Sequence, residues 1–185
     1  MYQHKKITII ILTLICSMLF IGQSFARSYA DDRAEIENLA ARYMFALDFL
    51  NADDYAAVFT EDGILNHGGG IERGRQEIRE FIYESIKKKE ERDAKTIAEG
   101  KEVKPARHFI TNMVIDVKGD KATAKAYWVN VSQGNDGYAR TFSYGHYEDS
   151  LKYVNGEWLF SKRIIFNEYW KGRGYGVLKP ELKAP

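Results

Sequence analysis

The chain has 185 residues, of which 45% are hydrophobic and 29% charged, and its formal net charge is +1. That length supplies one domain, or at most two, with enough apolar residues for a sizeable core. A near-neutral balance with no basic excess gives no charge-based reason to expect a nucleic-acid partner, and no acidic tail is present.

The first segment is read apart from the fold. "MYQHKK" is a short basic stretch, "ITIIILTLICSMLFIG" is apolar, and "SFA" ends in a small-x-small pattern at Ala26. This is the layout of a secretory signal peptide over residues 1–26, with Ala30 in "SYA" as a second cleavage position. An uncleaved anchor is the alternative, but the apolar run is shorter than the roughly 20 residues a spanning helix needs. Ile15 is too bulky before Cys16 for a lipoprotein site. Cleavage leaves residues 27–185, a periplasmic or secreted chain with no membrane attachment. It also removes Cys16, the one cysteine, and with it any disulfide, thiol nucleophile or cysteine metal site.

"ADDRAEIENLAARYMFALDFL" reads as the first helix, with Asp32 and Glu35 as a capping-box start. Ile36, Leu39, Ala40, Tyr43, Leu47 and Leu50 form its apolar stripe. Its second half, "MFALDFL", is apolar nearly all round, which predicts cover on more than one side. Asp48 is the lone charge there. "NADDYAAVF" is a short second helix capped by Asn51 or Asp53. "TEDGILNHGGG" supplies a turn, a short strand and a glycine-rich turn. "GRQEIREFIYESIKKKEERDAKTIAEG" is a third helix. It is amphipathic through Ile78, Phe81, Ile82 and Ile86, and from Lys87 onward it is a solvated extension or loop.

After Pro105 the period changes to two. Four strands follow, "RHFITNMVIDV", "KATAKAYWVNVS", "RTFSYGHYEDSLKYV" and "EWLFSKRIIFNEYW", with turns at "KGDK" and Asn155-Gly156. Uninterrupted alternation puts His108, Ile110, Asn112 and Val114 on one face of the first of these and predicts burial of its first half on both sides. Residues 171–185 read as a Gly/Pro-rich tail, expected to pack over or along the sheet. Helices followed by an antiparallel meander define an α+β domain, in which the three N-terminal helices cover one face of a curved sheet and leave a pocket between them.

One Asp and one His then stand out in otherwise apolar, pocket-directed segments. Asp48 is either an exposed carboxylate near a helix end or the orienter of a histidine. His108 is either a buried, satisfied ring or a general base. An Asp partner would hold one tautomer and leave the other ring nitrogen to take a proton. Tyr43 is a candidate hydrogen-bond donor to substrate, although it also lies on the apolar stripe. Asn112, Asn130, His146 and Asn167 are candidate polar pocket residues; Tyr55, Trp128, Phe142 and Phe166 are candidate aromatic walls. His67 in "NHGGG" reads as a turn residue. No compact ligand spacing supports a metal, and neither "GGG" nor "GRGYG" has the context of a phosphate loop. No cofactor is expected.

The order "RYMFALDFLNADDYAAVFTEDGIL", "GRQEIREFI", "RHFITNMVIDVKGDKATAKAYWV" and "GHYEDSLKYVNGEWLFSKRIIF" resembles the SnoaL-like branch of the nuclear transport factor 2-like superfamily over residues 32–168. That superfamily includes scytalone dehydratase, bile acid 7α-dehydratase, hexachlorocyclohexane dehydrochlorinase, ketosteroid isomerases and polyketide cyclases. The resemblance implies a cone-shaped fold with a deep apolar pocket and a homo-oligomer, dimer or trimer, formed through the outer sheet face. It matches Asp48 and His108 to a catalytic dyad and Tyr43 to a third catalytic position. The charged stretch at 87–104 departs from the pattern as an insertion. The expected function is an exported, cofactor-independent lyase or isomerase acting by proton abstraction on a small apolar, cyclic molecule. A non-catalytic ligand-binding or assembly domain of the same fold is the alternative.

Overall fold

The computed structural model describes residues 27–168; the expected signal peptide and the tail at 171–185 lie outside the described residues. The elements are α1 (Tyr29–Asp48), α2 (Ala52–Ala57), β1 (Phe59–Asn66), β2 (Ile71–Arg73), α3 (Gly74–Ala98), β3 (Ala106–Lys118), β4 (Lys121–Gln133), β5 (Ala139–Val154) and β6 (Glu157–Asn167). Among the described residues, no helix is long and apolar enough to cross a membrane.

α1 starts four residues before the expected box. Ser28 is its N-cap: the Ser28 hydroxyl accepts from the Asp31 N–H, and the Asp31 carboxylate accepts from the Ser28 N–H. Asp32 is occupied elsewhere, accepting from Trp158 Nε1 and Arg27 Nε, both at 2.8 Å. The buried stripe runs through Ile36, Leu39, Ala40, Tyr43 and Met44. The expected cover around the second half is absent on one side, because Phe45 and Phe49 are 65% and 62% exposed and stack on each other. Leu50, at φ 61, breaks the helix, and Asn51 caps α2 by accepting from the Asp54 N–H. In α3 only Ile78 and Ile82 are buried; the charged half continues as exposed helix to Ala98.

The six strands lie in the order β2-β1-β6-β5-β4-β3. β3 to β6 form the expected antiparallel meander, while β1 enters the sheet parallel to β6. The intervening chain supplies the long crossover that a parallel neighbour needs. Asn155 and Gly156 both have positive φ, as a two-residue type I′ hairpin requires. β3 departs from simple alternation. Asn112 adopts φ 54, and the register with β4 slips between Thr111 and Val114. This bulge inserts one residue and reverses the facing of everything after it. His108 and Ile110 therefore share the helix-covered face with Met113, Ile115 and Val117. Phe109 and Val114 stand outside, 52% and 59% exposed, so the first half of β3 is covered on one side only.

The core holds an ion pair that the sequence reading passed over. Arg163 on β6 and Asp149 on β5 are register partners and form two hydrogen bonds, at 2.8 and 2.7 Å, with both side chains fully buried. The guanidinium lies about 4 Å from the ring centres of Tyr43, Tyr147 and Phe160. Burial pushes the Asp149 carboxyl up, with the Arg163 charge pulling against it. Tyr43 donates to or accepts from Tyr55 at 2.5 Å.

Burial raises the phenols of Tyr43, Tyr55 and Tyr147 above their ordinary value of 10.0. The folded chain thus keeps protons that the unfolded chain loses from about pH 10 upward. Their contribution to stability is complete below that pH and declines as pH rises toward the folded values. Urea midpoints measured across this range should fall above about pH 10. The phenolate absorbance of these three tyrosines should appear only together with unfolding.

Candidate active site

Asp48 is the last residue of α1, where the helix dipole disfavours a carboxylate and no basic residue in the last turn offsets it. Its placement is explained by what it accepts. Oδ2 takes the backbone N–H of His108 at 2.9 Å, and Oδ1 lies 2.6 Å from His108 Nδ1. Among the described residues β3 is an edge strand, so the His108 amide has no neighbouring strand there to pair with on that side; the carboxylate takes that role. One carboxylate thus holds both the strand end and the ring. An ionised carboxylate only accepts, so Nδ1 carries the hydrogen and Nε2 of the neutral ring is left as the acceptor. Nε2 meets Asn130 Nδ2 at 2.7 Å. The Asp48 side chain is 7% exposed and that of His108 20%, so the ring retains access.

That access opens into a cleft of about 560 Å³ between the flank of α1 and β3. Its α1 wall is Ala40, Ala41, Met44 and Phe45; its β3 wall runs from His108 through Asn112 to Met113. His108 occupies one end of the strand wall. Arg33 and Glu37, paired at 2.7 Å, line the cleft nearer the start of α1. The wall is mostly apolar, so a ligand with extended hydrocarbon surface fits it better than a highly charged one.

The remaining candidates divide by location. Tyr43 is 1% exposed in the core, bonded to Tyr55, and does not line the cleft. Burial pushes its phenol up, which makes it a poorer acid. Tyr55 is likewise core. Trp128 sits on the covered face beside His108, with ring centres 6.3 Å apart, and its Nε1 is buried with no hydrogen-bond partner among the described residues. Asn112 lines the cleft at the bulge itself. Asn167 donates to the His67 carbonyl at 3.4 Å. His146 and Phe166 are corrected: strand alternation from the core residue Tyr147 puts them on the outer face. There they stack at 4.3 Å, and His146 Nδ1 lies 2.5 Å from Glu168 Oε1. Phe142 is exposed. His67 stacks on Phe81 and pairs with Glu72 at 3.2 Å. All three described histidines therefore have a carboxylate partner, but of the three it is His108 that lines the cleft. No group of three or more His, Cys, Asp or Glu side chains among the described residues is placed to hold a metal.

Asp149, Arg163 and the pairing of Asn130 with His108 were missed at the sequence level. Asp149 and Arg163 had a usable signal, since each is a charge at an inward position of an alternating strand.

This architecture and the comparisons agree. The SnoaL-like domain family matches residues 28–164, and the chain belongs to that family. Among solved structures, it is similar to a Nostoc punctiforme protein of unknown function with a cystatin-like fold. That match has 27% identity and a TM-score of 0.59, covering 77% of this chain and 94% of the other. A Mycobacterium tuberculosis protein of unknown function matches with 26% identity and a TM-score of 0.59, covering 76% of each chain. An NTF2-like protein of Novosphingobium aromaticivorans shares the fold at 22% identity and a TM-score of 0.60, covering 87% of this chain and 92% of the other. No curated protein matches the chain.

Proposed function

We propose that this chain is an exported lyase or isomerase that needs no cofactor and abstracts a proton from a small, largely apolar, cyclic molecule. The observation that carries the reading is the two-point hold of Asp48 on His108, at 2.6 Å to Nδ1 and 2.9 Å to the backbone N–H, beside an apolar cleft. His108 Nε2 takes the proton from carbon. The C–H electron pair forms the new double bond, and a leaving group on the adjacent carbon departs with its bonding pair. In the isomerase variant, the double bond shifts and the proton is returned elsewhere. Asp48 stabilises the imidazolium that forms. Tyr43 has no part in this scheme because it is sealed in the core. The test is to offer cyclic alcohols, halides and unsaturated ketones to the wild type and to His108→Gln, following loss of the carbon-bound proton and formation of the alkene. Equal conversion by the two proteins would reject the reading.

A second reading, a ligand-binding or assembly domain that works as a dimer, draws on the outer sheet face. Phe109, Val114 and Tyr127 stand there 52%, 59% and 53% exposed on neighbouring strands. Exposed apolar clusters of this kind commonly mark interfaces. Sedimentation of the wild type should give a dimer, and Tyr127→Lys should shift it toward monomer. A monomeric wild type at high concentration would reject this.

A further inference from the structure

We infer that Asn130 is a positioning residue whose carboxamide partners His108 Nε2 in both protonation states of the ring, donating through Nδ2 when the ring is neutral and accepting through Oδ1 once it is protonated. This rests on the reading of His108 as the base.

The geometry leaves the ring little freedom. Asp48 holds Nδ1 and the backbone of the same residue, and Trp128 lies beside the ring. Asn130 is the residue directly opposite His108 across β3 and β4, and its Nδ2 is 2.7 Å from Nε2. With Nδ1 donating to a carboxylate, the neutral Nε2 is an acceptor and requires a donor. After it takes a proton it becomes a donor and requires an acceptor. A carboxamide offers both on one flat group, and half a turn about its last torsion exchanges them without moving the backbone. Leucine has nearly the same shape and offers neither. Aspartate, when ionised, offers only acceptance, which suits the charged ring.

The exchange also orders the proposed reaction. In the resting site Asn130 covers the basic lone pair, so its side chain must first swing aside about the Cα–Cβ bond for a substrate C–H to reach Nε2, and return with the amide turned. Nε2 then binds the substrate proton, the C–H pair becomes the double bond, and the leaving group departs with its own pair. The turned Oδ1 receives the new Nε2–H until that proton is passed to the departed group or to water. The charged and titratable groups around the arrangement are Asp48 on α1, bonded to the ring, Tyr147 on β5, whose phenol the Asp48 charge helps to raise, Arg107 on β3, which lies over Phe49, and the Arg33–Glu37 pair in the cleft. The neighbours on β4 do not ionise.

The test needs no substrate. In nitrogen-15-labelled protein, long-range proton–nitrogen spectra report the state of each ring nitrogen of His108. The wild type at a pH where the ring is neutral should show a protonated Nδ1 and a hydrogen-bonded, unprotonated Nε2. The Asn130 amide signals should move when the ring is protonated at lower pH. In Asn130→Leu the Nε2 signal should move toward that of an unbonded ring nitrogen while Nδ1 stays protonated. In Asn130→Asp the ring should stay doubly protonated at the pH where the wild type is neutral. Unchanged Nε2 signals in both variants overturn the inference. If either variant fails to fold, wild-type Asn130 amide signals that ignore ring protonation overturn it equally. A wild-type neutral ring protonated at Nε2 instead of Nδ1 would defeat the Asp48–His108 reading itself, so the two failures are distinguishable.

Discussion

Asp149→Ala is expected to lower folding stability by about 3–5 kcal/mol, the cost of leaving one charge of a buried pair without its partner. Arg163 would remain fully buried, and its Nη1 already has no hydrogen-bond partner among the described residues. The faces of Tyr43, Tyr147 and Phe160 offset part of the loss but supply no hydrogen-bond acceptor comparable to a carboxylate. The double replacement Asp149→Leu with Arg163→Met removes both charges at similar volume and should recover most of that stability. Urea midpoints of the two singles and the double decide it. A loss below about 1 kcal/mol in Asp149→Ala would mean that the guanidinium finds another partner or water. The pair bears on the site because Tyr147 packs on both Arg163 and Trp128, and Trp128 packs beside His108.

His108→Gln is expected to reduce turnover by about 10²–10⁴-fold on any molecule the wild type converts, the range for removing a positioned general base. Asp48→Asn should fall in the same range for a different reason. Asp48 uses two acceptor oxygens for two N–H groups, whereas asparagine has one oxygen and a donor that opposes the second N–H. Either the ring changes tautomer or the strand end loses its partner. The asparagine variant should therefore also lose about 1–3 kcal/mol of stability. If the two residues act as one unit, the double variant should lose little more turnover than either single. Additive losses would show that Asp48 and His108 act independently.

The meander and the helix stripe were legible because their signals are short-range. Ile36, Leu39, Ala40 and Tyr43 repeat at helical spacing, and Asn155-Gly156 is a turn under almost any tertiary context. Asp48 was conspicuous as a carboxylate in an apolar turn. The exposed sides of Phe45 and Phe49 were not legible, since an apolar residue does not record whether another element reaches it. The capping box was misplaced because Asp32 has the right local chemistry but serves Trp158, 126 positions away.

The site depends most on β3, where local reading was least able to help. Counting back from the Lys118–Lys121 pair without interruption would place Val131 opposite His108. The bulge at Asn112 shifts the register by one and places Asn130 there instead. A one-residue slip exchanges the two faces of a strand, and its presence is decided by packing against α1 and β4 together. By itself, then, the sequence determined the order and type of elements and singled out one aspartate and one histidine, because periodicity, turn chemistry and misplaced charge act over a few residues. Tertiary structure alone decided that the carboxylate reaches the ring, that Asn130 covers the free nitrogen, and that Tyr43 is sealed beneath Arg163. Each of these is a question of strand register and helix placement between segments distant in the chain.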